Sequence, residues 1–240
     1  VNQHNIIQMF FIKHPPCVYS YLLIHIEQNM DAQQQQQNKW VKKVRNRYQI
    51  DVCFIYSTRL HHLFSLGHPF IESYCQPSAL IYQNKESEDS LVITRDWKKF
   101  KKRFNVFQGH FYHDHDLYKS QVQNLISEGS SNSVFTSYAR LIEYDLEYLE
   151  ELYSGNKSAS LSLDGKINNL IEYIPAIQKY FVRNSSNKYY LTDLFVKAKE
   201  ASADDDLISK EEMYEAVGIT ERSLYRLIEE RFDELKKLIK

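Results

Sequence analysis

Cysteine is scarce: Cys17, Cys53 and Cys75 are the three in 240 residues, far apart and with no CxxC pair. That argues against a disulfide framework and against a cysteine zinc site, and predicts reduced, buried thiols. Glycine and proline are also few, at six and five, so regular elements are expected rather than long loops. No apolar run reaches the roughly 18 residues that cross a bilayer. The N-terminus lacks the charged, apolar and small-residue order of a signal peptide. A cytoplasmic protein without a membrane partner is the expectation. The chain opens at Val1 rather than at methionine, which leaves room for a preceding N-terminal element.

What is present suits a globular core. Hydrophobic residues make up 43% and charged residues 25%, ordinary values that argue against wholesale disorder. The net charge of −1 hides an asymmetry. Residues 1–126 carry 15 Lys+Arg against 10 Asp+Glu, and residues 127–240 carry 15 against 21. A basic front is compatible with an anionic partner there, or with packing on the acidic back.

The first ninety residues read as strands and short helices. Ile6–Ile12 and Val18–Ile26 are rich in β-branched and aromatic residues, with His14-Pro15-Pro16 as a break between them. Asp31 is placed to cap a helix through Gln33–Gln37 to Tyr48. Ile50–Tyr56 reads as a third strand, Thr58 as the cap of a short helix ending at Gly67, and Ala79–Gln83 as a fourth strand. Asn84–Ser90 reads as a polar linker.

Beyond it the period becomes helical. Trp97, Phe100, Phe104, Phe107, Phe111, Tyr118, Val122 and Leu125 form the inward face of a long helix capped by Thr94, with Gly109 as a weak point. Phe135 to Tyr153 marks a second helix, stopped at Ser154-Gly155, and Ile167 to Ile174 a third, broken before Pro175. Leu191 to Ala198 marks a fourth. Asp204–Asp206 reads as an acidic turn, and Ser209 with Glu212 as a capping box. Gly218 is expected to stop a short helix and Thr220 to start the last one. The expected class is α+β: a small mixed-sheet α/β domain over 1–90, then an all-α helical bundle over 91–240.

Gly67-His68-Pro69-Phe70 and Leu80-Ile81-Tyr82, set in this strand order, resemble the latter part of small bacterial nucleotidyltransferase-like domains. The helical half resembles the HEPN domain often fused to them, on Leu125–Gly129, Tyr153–Gly155, Lys197-Ala198 and Ile208–Glu212. The resemblance implies a nucleotidyltransferase–HEPN-like protein, but the family's functional residues do not carry over. The strand where an Asp-x-Asp pair belongs reads Tyr19-Ser20-Tyr21-Leu22-Leu23-Ile24, and Asp51 alone could stand in for a third acid. Phosphoryl transfer needs metal ions held by several carboxylates, so this half reads as degenerate. HEPN ribonucleases place an Arg and a following His near the C-terminal helices, yet no His follows His115. Arg103 and His110 satisfy the spacing by count and are the catalytic candidates.

Three further constellations stand out. Arg95–Arg103 (RDWKKFKKR) interleaves six basic residues with aromatics. Lys98, Lys99, Lys101, Lys102 and Arg103 are candidates for holding phosphates, against the plainer reading of a solvated helix face. Lys39, Lys42, Lys43, Arg45 and Arg47 make a second basic run. In His110-x-x-His113-Asp114-His115-Asp116, His110 and Asp114 are helical neighbours and candidate metal ligands, against a merely polar helix surface. Glu211–Ile228 is similar to a helix-turn-helix, in which Thr220, Arg222, Ser223 and Arg226 would face the major groove. Tyr214 departs from that pattern at the tight helix crossing, and the many surrounding acids oppose DNA. The leading expectation is a non-catalytic binding protein with a nucleic-acid or protein partner, a homodimer among them, and no cofactor. The alternatives are a helix-turn-helix transcriptional regulator and a HEPN-type ribonuclease.

Overall fold

The computed structural model describes residues 6–13, 20–27, 32–36, 38–94, 96–129, 131–155, 161–200 and 211–238. Its strands are β1 (Ile6–Ile12), β2 (Ser20–Ile26), β3 (Ile50–Tyr56) and β4 (Leu80–Gln83). Its helices are α1 (Ala32–Gln36), α2 (Lys39–Tyr48), α3 (Ser57–Ser65), α4 (Pro69–Tyr74), α5 (Trp97–Glu128), α6 (Ser131–Ser154), α7 (Leu163–Tyr173), α8 (Tyr190–Glu200) and α9 (Glu211–Leu238). This is the expected α+β class. The chain divides into two compact units, Val1–Phe107 and Gln108–Lys240. The first turns of α5 thus belong with the sheet, although the composition changes earlier, at the polar stretch 84–90.

In the first unit the strand order is β3-β2-β1-β4. β1 pairs antiparallel with β2 and β4, while β2 and β3 run parallel. A parallel pair cannot be joined by a tight turn, and the crossover holds α1 and α2. Val41 of α2 packs with Ile6, Ile24, Ile26, Val52 and Phe54 of the strands. The glutamine run has a structural use: the Gln36 amide donates to the Val52 carbonyl and accepts from Phe54 N–H, occupying backbone groups on edge strand β3.

A buried polar knot joins the other side of the sheet. His25 contacts Gln8 Oε1 through Nδ1 (3.3 Å) and Ser57 Oγ through Nε2 (2.8 Å), and Gln8 Oε1 also accepts from Leu91 N–H. Burial, then the nearby His61, pushes the His25 pKa down from 6.5 to about 4, with Asp89 opposing. The imidazole is neutral at pH 7.

Gly67 is the position that requires glycine. Its φ is +73°, and a Cβ there would overlap the Arg103 backbone and Cβ. Arg103 itself donates to the buried Glu72 and stacks on the Phe64 ring, 4.7 Å from its centroid.

In the second unit α6 packs against α7, α8 and α9. Phe111 of α5 is fully buried among Tyr144, Tyr148, Tyr225 and Phe232. Lys166 of α7, 1% exposed, bonds Glu143 and Glu147 of α6 at 2.6 Å each, neutralising two like charges one turn apart.

Several expectations are corrected. The helix expected up to Tyr48 is two helices, with Asn38 between them, and its cap Asp31 lies outside the described residues. Tyr56, not Thr58, occupies the cap position of α3. Asp96, not Thr94, caps α5, accepting from Lys98 and Lys99 N–H. Gly109 does not interrupt α5. Trp97 is 40% exposed rather than inward. α9 runs unbroken through Gly218, so the expected helix end there and start at Thr220 are absent. Cys75 is buried and free, as expected, whereas Cys53 is partly exposed. Cys17, Asp204–Asp206 and Ser209 lie outside the described residues. Among the described residues no helix is long and apolar enough to cross a membrane.

Two predictions follow from the first unit, and both are read by Trp40 and Trp97, the chain's two tryptophans. Gly67→Ala should lower its stability by about 1 kcal/mol or more; an unchanged urea midpoint contradicts the close approach to Arg103. A lowered folded-state His25 pKa stabilises above pH 6.5, and that stability is lost as pH falls from 6.5 through 4. The loss should approach roughly 3 kcal/mol, and His25→Gln should flatten the midpoint across that window.

Candidate functional site

Three side chains meet inside the helical unit. His115 comes from α5, Asp145 from α6 and Glu221 from α9. Each occupies a position where the helical repeat demands an apolar residue. His115 lies four residues after Phe111 and seven before Val122; Asp145 lies between Leu141 and Tyr148; Glu221 lies between Val217 and Leu224. All these apolar neighbours are buried, so the repeat carries the three polar groups inward with them. Their exposures are 1%, 0% and 3%.

The geometry is tight. His115 Nε2 is 3.0 Å from Glu221 Oε1 and 3.8 Å from Asp145 Oδ1. One donor atom from each residue lies within 4.8 Å of the others. Yet neither ring nitrogen of His115 and neither oxygen of Asp145 has a hydrogen-bond partner among the described residues. The 3.0 Å approach of His115 Nε2 to Glu221 Oε1 is an ion-pair contact that holds the Glu221 carboxyl in its charged form. The Tyr225 ring covers the imidazole at 4.5 Å between centroids. Lys119 reaches in from the rim, its Nζ 3.4 Å from Glu221 Oε1.

The two carboxyls titrate apart. Burial, reinforced by the Glu221 charge, pushes Asp145 well above the usual carboxylate range, with Lys119 opposing. Burial also pushes Glu221 upward, but the imidazole and the Lys119 ammonium together outweigh it and leave it below its ordinary value. Two acids and an imidazole, dry and close, are ligands of the kind that hold a transition-metal ion.

The residues singled out from sequence are placed otherwise. Lys98, Lys99, Lys101 and Lys102 are all exposed. Arg103 is held by Glu72 and Phe64, while the candidate catalytic partner His110 is solvent-exposed. His110 and Asp114 are both on the surface, and among the described residues no third ligand converges on them. Thr220 and Ser223 are buried and bond back to the carbonyls of Ala216 and Ile219, as hydroxyls inside a helix do. Arg222 and Arg226 are exposed, but on a continuous helix that lacks the turn which would aim them into a groove. His115 belongs to the same His- and Asp-rich stretch, but the helical pairing of His110 with Asp114 points away from it. The signal that marks the trio is a titratable residue on the apolar stripe of each of three helices.

A carboxyl whose folded-state pKa is raised stabilises below its unfolded pKa of 3.8 and loses that contribution as pH rises past it. In EDTA-treated protein at pH 7, Asp145→Asn should therefore raise stability by on the order of 1–3 kcal/mol. A lowered midpoint in chemical denaturation contradicts the unpaired buried charge. Set against protein-family models, curated proteins and solved structures, the chain matches none, so its chemistry rests on the residues themselves.

Proposed function

We propose that the first unit is a non-catalytic nucleic-acid-binding module that holds phosphates with Lys98, Lys99, Lys101 and Lys102. The observation that carries this reading is the layout of the first turns of α5. The four lysines are exposed on the side opposite the buried Phe100, Phe104 and Phe107, and Trp97 lies at their margin, 40% exposed. Cations that track a backbone beside an aromatic face on which a base can stack are the usual elements of single-strand binding.

Charge and exposure elsewhere support it. Residues 1–107 carry 14 Lys+Arg against 8 Asp+Glu, and residues 108–240 carry 16 against 23. α2 repeats the pattern: Lys39, Lys42, Lys43 and Arg47 are exposed, and Trp40 is also 40% exposed. Asp51, the single acid that could serve a nucleotidyltransferase-like site, is bound by Arg45 at 2.9 Å, which favours binding over catalysis. On this reading the likeness to degenerate nucleotidyltransferase- and HEPN-like proteins extends to architecture and not to reaction.

The test is a titration with labelled single- and double-stranded DNA and RNA, with tryptophan quenching as a second readout. Four phosphate contacts should cost on the order of 100-fold in affinity between 50 and 200 mM salt. Replacing the four lysines by Gln should abolish most of that dependence with the fold intact. No binding at low salt, or binding indifferent to the four substitutions, removes the proposal.

A further inference from the structure

We propose that His115, Asp145 and Glu221 form a binding site for one divalent first-row transition-metal ion, of which Zn2+ is the best fit, inside the helical unit. The site is distinct from the basic surface of α5 and rests on different residues.

The first argument is spacing. A tetrahedral zinc with nitrogen and oxygen ligands near 2.0–2.2 Å sets neighbouring donor atoms about 3.3 Å apart. The measured 3.0 Å from His115 to Glu221 and 3.8 Å from His115 to Asp145 bracket that value. The remaining pair, Asp145 to Glu221, lies within 4.8 Å, so side-chain shifts of about an ångström would complete the geometry. The second argument is satisfaction. Asp145 is wholly buried and its two oxygens lack hydrogen bonds among the described residues, as do both nitrogens of His115. Buried polar atoms of this kind call for an explanation, and an ion is among the usual ones. A cation among the trio would meet the unbonded oxygens of Asp145, the His115 ring and the Glu221 carboxylate. Lys119 does not replace it, because its ammonium bonds Glu221 and leaves Asp145 unbonded.

The third argument is ligand chemistry. An imidazole with two carboxylates suits the borderline ions from Mn2+ to Zn2+, whereas an imidazole disfavours Ca2+ and Mg2+, which prefer all-oxygen shells. Three helices each supply one ligand, so the ion would tie α5, α6 and α9 together. Three protein ligands also leave a fourth position for water or a partner's donor atom.

Lys119 gives the test its sign. Its Nζ lies 3.4 Å from Glu221 Oε1, where it competes with an incoming cation, and at 38% side-chain exposure it is placed to withdraw. Metal-free protein is titrated with ZnCl2 by calorimetry, and with CoCl2 by visible absorption. Wild type should bind one equivalent of each, and the Co2+ complex should show the d–d bands of a four- or five-coordinate ion. Asp145→Asn and Glu221→Gln should each weaken binding roughly 100-fold or more, with helical circular dichroism retained. Lys119→Gln should tighten it several-fold, a gain that no misfolded variant can imitate. His110→Ala should change nothing. The proposal is overturned if wild type takes up no saturable equivalent, or if Asp145→Asn binds as wild type does. It is equally overturned if Lys119→Gln weakens binding, or if His110→Ala is the variant that abolishes it.

Discussion

A carboxylate taken out of water without a partner is among the most costly groups a core can hold, and the helical unit is arranged around one. Asp145 sits on α6, the helix that packs against α7, α8 and α9, with no exposed surface. Beside its neighbour His115 lie the rings of Phe111 and Tyr225, and Phe111 packs in turn on Tyr144 and Tyr148, an apolar setting that lowers the local dielectric. Every attraction to a positive charge is strengthened there by the same surroundings that penalise the bare anion. A group of this kind lowers stability unless a cation meets it.

The first unit treats charge in the opposite way. Its buried acids are each matched internally, Glu72 by Arg103 and Asp51 by Arg45. Its buried His25 is kept neutral by burial, with His61 nearby. The exposed lysines of α2 and α5 give this unit its positive balance. In the other unit Asp145 is buried without a hydrogen bond among the described residues.

Much of the fold is legible in the sequence because apolar period and turn chemistry agree there. Ile6–Ile12 and Ile50–Tyr56 are strands with the expected ends, since dense β-branched and aromatic runs are bounded by polar residues. The helix ends near Gly67 and Gly155 follow from glycines that take positive φ. Gly218 misleads because glycine is also used inside helices where a neighbour comes close; here a Cβ would meet the Tyr138 hydroxyl at 3.3 Å. Trp97 fits the inward repeat, yet at the first residue of α5 the stripe has not yet met the core. The buried trio of His115, Asp145 and Glu221 is hidden for a related reason. Reading a stripe for its hydrophobic members skips its polar ones, and three skipped positions from helices far apart in sequence become neighbours only once the bundle is assembled.

The strand order also bears on how the chain comes into being. β1 lies inside the sheet, but its partner β4 is encoded far downstream, with Gln8 pairing Gln83 across 75 positions. At synthesis rates of about 5–20 residues per second, one flank of the nascent β1–β2 pair stays open for roughly 3–11 s while the chain lengthens from Ile26 to Gln83. The backbone of Phe10, paired with Leu80 in the finished sheet, lacks that partner for the interval. The sheet can close only after its last and shortest strand has emerged, whereas each helix of the later unit forms from contacts a few residues apart as soon as it is made.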